Sequence, residues 1–209
     1  MANSIITISR EFGTGARIIG RELAAQLGYD YYDRALIEMA AEKSGLSEEF
    51  IERTEEKASN SFLYNLAAAA YIASDITAQY AVPANDRAFM VQSDIIQDIA
   101  HSGNGVIVGR CADYVLRDHP SLLRVFLFGD RQDRLNRIIN EYGQDPKNAE
   151  SVLTKIDKGR ANYHKFYTET DWRAMENYDL CINTSATGIQ GAVAAIRAAA
   201  EEKFGKLNG

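Results

Sequence analysis

The sequence contains few cysteines and histidines, which narrows the chemistry that it can perform. Its 209 residues include two cysteines, Cys111 and Cys181, and three histidines. Two cysteines so far apart give neither a disulfide framework nor the spacing of metal ligands, and they favour a reducing compartment. The histidines are isolated from one another, so we expect neither a catalytic triad nor a metal cluster.

Long apolar runs and an excess of positive charge are also missing. The chain has no run of about 18 apolar residues and no basic-then-apolar leader, so we expect a cytoplasmic protein without membrane contacts. The formal net charge of -6 argues against a general nucleic-acid binder. An anionic ligand would therefore need a local pocket of arginines and lysines.

What the sequence does contain is a series of short apolar segments that alternate with helical ones. Five segments favour buried strands, and they cover residues 5–8, 29–32, 105–109, 122–128 and 179–182. Residues 44–101 favour helix throughout, including an alanine-rich helix over 62–80. This order predicts an α/β fold, a doubly wound parallel sheet of about five strands in three α/β/α layers. Ligands of such sheets bind beyond the carboxyl ends of the strands.

A glycine turn follows the first predicted strand and opens a helix. It contains Gly13, Thr14 and Gly15, followed by Ala16 and Arg17. Amides in such a turn bind phosphate at the helix N-terminus, although a strand-to-helix turn can also need glycine for its geometry alone. The usual mononucleotide loop, G-x-x-x-x-G-K-[ST], carries a lysine. This loop has none, and Arg17 and Arg21 are the candidate sources of its positive charge.

Charged residues also follow the second and third predicted strands. Asp33 comes after the second strand, where its carboxylate either binds Mg²⁺ or a substrate hydroxyl or caps the next helix. Arg110 follows the third strand, and its guanidinium either contacts a phosphate or pairs with Asp113. The binding interpretations place all three residues at the ligand edge of the sheet.

Two groups of basic residues lie further along the chain. Arg131, Arg134 and Arg137 follow the fourth strand at a spacing of three; the first two lie nearer the sheet, whereas we expect Arg137 to be solvated. A long helix between the fourth and fifth strands carries Lys158 and Arg160 within the densest basic segment. Its position favours a phosphate-contacting lid over a merely solvated helix face.

Five segments resemble the cytidylate kinase-like family, a bacterial branch of the P-loop nucleoside monophosphate kinases. The resemblance covers nearly the whole chain, in the expected order. The segments are Ile8-Ser-Arg-Glu-Phe-Gly-Thr-Gly-Ala-Arg, Tyr31-Tyr-Asp-Arg, Val106-Ile-Val-Gly-Arg-Cys-Ala-Asp-Tyr, Lys155-Ile-Asp-Lys-Gly-Arg-Ala-Asn-Tyr and Asn177-Tyr-Asp-Leu-Cys-Ile-Asn-Thr-Ser.

The resemblance implies a single P-loop kinase-like domain with two helical additions. Its core would be residues 1–33, 102–145 and 176–209, with a helical insertion for the nucleoside monophosphate over 34–101 and a lid over 146–175. It implies transfer of the ATP γ-phosphoryl group to CMP or dCMP with Mg²⁺. The partners would be small nucleotides and not nucleic acid or a membrane, and whether the chain forms a homodimer is left open.

The resemblance also assigns roles by position. The ATP-binding residues would be Gly13, Thr14, Gly15, Ala16, Arg17, Arg131 and Arg134. The acceptor would be bound by Asp33, Arg110 and Asp113, the metal by Thr14 and Asp33, and catalysis would use Arg17, Lys158 and Arg160.

One departure from the wider superfamily keeps other functions open. Ala16 falls where the usual loop has its lysine, and Arg17 falls where a small residue or a hydroxyl would contact Mg²⁺. A kinase for a different small-molecule acceptor is one alternative, because a fold does not fix its substrate. A nucleotide-binding regulatory protein with little turnover is the other. The missing lysine favours the regulator, whereas Arg110, Lys158 and Arg160 favour the kinase.

Overall fold

The structure, a computed structural model, describes residues 3–57 and 83–205. Its sheet has five strands in the order β2-β3-β1-β4-β5, and every neighbouring pair is parallel. The strands are β1 (Ile5–Arg10), β2 (Asp30–Tyr32), β3 (Gly105–Val108), β4 (Leu122–Phe128) and β5 (Leu180–Asn183). β1 lies at the centre of the sheet, so whatever follows it stands in the middle of the ligand edge.

All five predicted strands are confirmed, with differences at their ends. β1 runs two residues further than predicted because Ser9 and Arg10 stay paired with β4, opposite Phe126 and Leu127. Polar side chains end the apolar pattern there, although the ladder of backbone hydrogen bonds continues. β5 begins and ends one residue later than predicted.

Helices connect the strands in the alternating order that the sequence predicts. Within the described ranges the α-helices are α1 (Ala16–Leu27), α2 (Arg34–Ser44), α3 (Glu48–Lys57), α4 (Ala84–Ser102), α5 (Ala112–Val115), α6 (Arg131–Asn140), α7 (Ala149–Thr168) and α8 (Thr184–Phe204). The alanine-rich helix predicted over 62–80 lies outside the described residues. None of the helices in these ranges is both long enough and apolar enough to cross a membrane.

Helices cover both faces of the sheet, and this explains the composition of β1. Ile6 packs in one cluster with Ile19 of α1 and Ile196 of α8. Ile5 belongs to a second cluster, with Leu36 of α2. Successive residues of a strand point to opposite faces, and β1, which is covered on both faces, is therefore buried along its whole length and mostly apolar at its start. The fold is the predicted three-layer α/β arrangement.

Candidate active site

The loop between β1 and α1 has the backbone of a phosphate-binding turn. Gly13 and Gly15 have φ angles of +84° and +80°, in the left-handed region that favours glycine. A Cβ on Gly13 would lie 2.8 Å from the carbonyl oxygen of Arg134, and a Cβ on Gly15 would collide with the side chain of Ile189. Conformation and space therefore both require glycine. α1 begins at Ala16, so its first amides face the space beyond β1.

This loop lines a cavity of about 510 Å³, a size typical of small-molecule sites. The predicted site residues that line it are Gly13, Thr14, Gly15, Ala16, Arg17 and Arg160. Other lining residues include Arg10, Glu11, Arg21, Glu52 and Tyr142. The cavity thus has four arginines and two carboxylates beside the loop, so the acidic protein does contain the local basic pocket that an anion needs.

The predicted loop cation Arg17 is paired with the predicted substrate residue Asp33. Nε of Arg17 lies 2.7 Å from Oδ2 of Asp33, and the two side chains are 67% and 12% exposed. Asp33 precedes α2, but its side chain makes no hydrogen bond to that helix, so the capping interpretation is wrong. The ion pair instead joins the phosphate-binding loop to the end of β2.

Tyr31 lies within a cluster of arginines at the same place. Burial, and then the nearby Asp33, raise the pKa of Tyr31 to about 12, while Arg21, Arg17 and Arg10 act in the opposite direction. The guanidinium carbon of Arg21 lies 5.7 Å from the centre of the Tyr31 ring. The phenol stays neutral, so the charges that act on Tyr31 are those of three arginines and of Asp33.

Thr14 and Asp33, the predicted metal ligands, do not share a site. The Thr14 hydroxyl is buried and donates to the carbonyl oxygen of Glu11 at 2.9 Å. Asp33 is held by Arg17 and does not line the cavity. Within residues 3–57 and 83–205, no group of three or more His, Cys, Asp or Glu could hold a metal ion. These donors do not fit a Mg²⁺ ion bound by the protein alone, although Mg²⁺ commonly binds through substrate phosphates and water.

A buried carboxylate on α7 accepts a hydrogen bond from one of the loop amides. The Phe12 amide donates to Oδ1 of Asp157 at 2.7 Å. Nη1 of Arg134 donates to Oδ2 of the same carboxylate at 2.6 Å, and Arg134 also donates to the carbonyl oxygens of Gly129 and Phe12. Arg134 was predicted to contact ATP, but its guanidinium is directed to these protein groups and does not line the cavity. It fastens the loop to α7.

Glu11 belongs to the same network. Its two carboxylate oxygens lie 3.4 Å from Nε of Arg134 and 2.7 Å from Nη2 of Arg173. A carboxylate inside a phosphate-binding loop would repel a phosphate, and two arginines beside it offset that charge. The sequence pattern gave no signal for Arg173, which lies beyond α7 and reaches the loop only in the folded chain.

Arg137 also bonds to the loop, contrary to the expectation that it is solvated. Its side chain is 18% exposed, and Nη1 donates to the carbonyl oxygen of Gly13 at 2.9 Å. Burial raises the pKa of Tyr142, while Arg137 and a hydrogen bond from the Gly15 backbone oppose that rise. The spacing of the arginines along α6 could not predict the bond between Arg137 and Gly13, because that spacing does not show that the loop lies against the helix.

Arg110 and Asp113 lie at the end of β3, as predicted, and both are buried. Nη1 of Arg110 donates to the carbonyl oxygen of Ile51 on α3 at 3.0 Å. Asp113 accepts a hydrogen bond from the Ser9 hydroxyl and lies 3.2 Å from Nε2 of His164 on α7. These contacts connect the carboxyl ends of β1 and β3 to α3 and α7. They neither bring Asp113 to the cavity wall nor test its assignment to a substrate.

Two other predicted cations lie away from the cavity. Arg131 is exposed, and its Nε donates to Glu150 at 2.7 Å. Lys158 is on the exposed side of α7 and does not line the cavity. Arg160 does, and its Nη1 donates to the carbonyl oxygen of Arg10 at 3.2 Å. Of the two predicted lid cations, the structure places Arg160 at the loop.

Four charged residues of the cavity were not among the predicted site residues: Arg10, Glu11, Arg21 and Glu52. Arg10 ends β1 and Arg21 lies in α1. A signal for Arg10 was available, because an arginine at the carboxyl end of a strand is the same pattern that singled out Arg110. Glu52 lies in α3 and had no such signal, since only the tertiary fold brings that helix to the loop.

The glycine loop, the central parallel strand and the arginine-lined cavity define the class of P-loop kinase folds. Solved structures support this class. A crystal structure of an uncharacterized protein from Eubacterium ventriosum is 25% identical, with a TM-score of 0.68 and coverage of 95% of this chain and 99% of that one. A shikimate kinase from Bacteroides thetaiotaomicron is 12% identical, with a TM-score of 0.55 and coverage of 95% and 98%.

A gluconokinase from Sinorhizobium meliloti is 15% identical, with a TM-score of 0.53 and coverage of 97% of this chain and 96% of that one. At these identities the two kinases show the shared fold alone. The model of the cytidylate kinase-like family matches residues 5–186. The chain therefore belongs to the cytidylate kinase-like family. A search of curated proteins found no match.

Proposed function

We propose that this protein transfers the γ-phosphoryl group of ATP to CMP or dCMP. The observation that carries the proposal is the cavity beyond β1, where the amides of a glycine turn and four arginine side chains face one space. Phosphoryl transfer needs mainly alignment of the two substrates and cations around the transferring group. The four arginines are such cations, and this supports a phosphotransferase more than a passive anion pocket.

The proposed role of each residue follows from its position in the site. Amides of residues 13–16 would bind the donor phosphates, because they open α1 and carry the positive end of its dipole. Arg160, which reaches the loop from α7, would stabilise charge that develops on the transferred group. Asp33 and Arg110, at the ends of β2 and β3, would face the acceptor. Mg²⁺ would enter with the ATP phosphates, and no step is assigned to it because Thr14 and Asp33 do not form its site.

A nucleotide-binding regulator with little turnover is the second candidate, and two observations favour it. Ala16 replaces the lysine of the usual loop and is only 5% exposed. The Phe12 amide is already bonded to Asp157. A binding protein would tolerate both features, whereas a kinase must compensate for the missing charge.

The deciding experiment measures ADP release in a coupled assay with ATP and Mg²⁺ over CMP, dCMP, other nucleoside monophosphates and small alcohols. CMP or dCMP is expected to give the highest kcat/KM. Turnover with another acceptor would overturn the CMP assignment and keep the kinase. ATP binding by calorimetry without turnover on any acceptor would favour the regulator.

A further inference from the structure

The positive charge that an ordinary mononucleotide loop takes from its lysine must come from elsewhere in this site. The lysine of that loop reaches the terminal phosphates, but Ala16 holds its place here. Besides Arg10, and Arg173 at Glu11, five arginines lie on or against the loop, and their contacts show where each guanidinium is directed. They are Arg17, Arg21, Arg134, Arg137 and Arg160.

Four of these arginines are directed to protein groups at the margins of the loop. Arg17 pairs with Asp33 while its side chain stays largely exposed. Arg21 lies over the ring of Tyr31, more than one turn into α1. Arg134 is held by Asp157, and Arg137 donates to the outer side of the turn, at the carbonyl oxygen of Gly13.

Arg160 and Arg10 line the cavity from outside the loop, from α7 and from β1. Arg160 comes from α7, with its guanidinium carbon 5.6 Å from the centre of the Phe12 ring. Arg10 is the last residue of β1 and is 8% exposed. Its backbone is fixed in the sheet by pairing with Leu127. A charge carried by the central strand is held in place more firmly than one on a loop or a lid.

The guanidinium of Arg10 extends over the end of the neighbouring strand, β3. A Cβ added to Gly109 would lie 2.7 Å from Cζ of Arg10 and closer still to Nη1. Gly109 also has a φ of +80°. The missing side chain at Gly109 therefore leaves the space that the guanidinium fills. In this position Arg10 lines the cavity beside the loop, and its guanidinium adjoins the end of β3, just before Arg110.

We propose that Arg10 is the cation that binds the terminal phosphate of the donor nucleotide, in place of the missing loop lysine, and that Gly109 is its positioning residue. A planar guanidinium that binds two phosphate oxygens supplies geometry as well as charge. Its place between the donor loop and the acceptor edge allows contact with the group that is transferred. This inference rests on the proposed ATP-dependent function and names the residue on which that function depends.

The first test compares ATP and ADP binding by calorimetry, with Mg²⁺ and without any acceptor, in the wild type and in Arg10→Met. We expect ATP affinity to fall about tenfold or more, as for loss of a charge-assisted hydrogen bond, and ADP affinity to fall less than about twofold. Arg10→Lys should recover part of the difference. Arg197→Met removes an exposed arginine of α8 and should change neither affinity.

The second test uses Gly109→Ala. This variant keeps Arg10, but its added Cβ occupies the space that the Arg10 guanidinium fills. Gly45→Ala is the matched control, because Gly45 has a φ of +70° and no atom within 4 Å of the added Cβ. Both variants carry backbone strain, and only Gly109→Ala should lose ATP affinity. In an Arg10→Met background, Gly109→Ala should cause no further loss of ATP affinity.

The outcomes separate this inference from the proposed function. If both Arg10→Met and Gly109→Ala bind ATP with wild-type affinity, the proposed role of Arg10 is overturned and the kinase proposal still stands. Equal losses of ATP and ADP affinity would show that Arg10 supports the loop and does not bind the terminal phosphate. Wild-type protein that binds neither nucleotide overturns both proposals. If Arg10→Met fails to fold, Gly109→Ala against Gly45→Ala decides the question.

Discussion

The carboxylate of Asp157 on α7 accepts a hydrogen bond from the Phe12 amide at 2.7 Å, which ties α7 directly to the loop between β1 and α1. The same carboxylate pairs with Arg134, and both side chains are almost fully buried. The predicted phosphate-binding loop is thus held by a buried ion pair between α6 and α7. The amides and arginines on the cavity side can therefore remain ordered before a ligand arrives.

We expect Asp157→Ala to lower the free energy of unfolding by about 3 kcal/mol, because it leaves the buried Arg134 without its closest carboxylate. Urea denaturation followed by circular dichroism measures the change. Glu150→Ala is the control, since it breaks an ion pair with Arg131 whose side chains are half or more exposed. That pair should contribute less than about 1 kcal/mol. Equal effects of the two substitutions would contradict a structural role for the buried pair.

Alanine at Gly13 should destabilise the protein more than alanine at Gly15. Both substitutions carry the cost of a left-handed backbone, about 1 kcal/mol. The Cβ at Gly13 also meets the backbone carbonyl of Arg134, which cannot move easily, whereas the Cβ at Gly15 meets the flexible end of Ile189. Denaturant midpoints test the order. Adding Ile189→Ala should restore part of the stability of Gly15→Ala but none of that of Gly13→Ala.

The ion pair between Arg17 and Asp33 leads to a prediction about substrate specificity. The family resemblance assigns Arg17 to the ATP phosphates, but its guanidinium is held at the end of β2, on the proposed acceptor side. We expect Arg17→Ala and Asp33→Ala each to raise the KM for CMP severalfold with little change in the KM for ATP. The double variant should be no worse than Asp33→Ala alone, because the two residues act as one unit.

Steady-state kinetics with each substrate varied in turn provide the measurement. Arg34→Ala, a neighbouring exposed arginine that pairs with Glu38, serves as the control. If only the KM for ATP rises, Arg17 contacts the ATP phosphates, as the resemblance implies.

The strands and the loop could be predicted from the sequence because their signals are local. β-branched runs such as that of β1, and glycines that permit a left-handed turn, depend on neighbouring residues alone. The family resemblance added the order of the segments and is confirmed by the match over residues 5–186. Its residue assignments to ATP, acceptor and metal stay predictions.

What the sequence could not show is how charges pair across elements. Asp157 and Phe12 are 145 residues apart, and Arg160 and Arg10 are 150 apart. Their contacts depend on where α7 packs, which no local pattern contains. For the same reason the sequence predicts that Arg134 contacts ATP and that Arg137 is solvated. The structure shows instead that both bond to the loop.

The last prediction concerns acid stability, through Asp179 at the start of β5. Burial would raise the pKa of Asp179, but hydrogen bonds from Arg124 and Lys203 outweigh it and lower the pKa from 3.8 to about 2. Because the folded-state pKa lies below the unfolded value, the carboxylate stabilises the fold above pH 3.8 and loses that effect as the pH falls toward 2.

Asp179→Asn should therefore be less stable than the wild type by a constant amount from about pH 5 upward, with the gap closing as the pH falls below about 4. Urea unfolding at a series of pH values measures the gap. Asp118→Asn is the control, because the Asp118 side chain is 92% exposed and substitution there should change stability little. A gap that persists unchanged down to the lowest pH would mean that packing, and not the charge of Asp179, joins β4, β5 and α8.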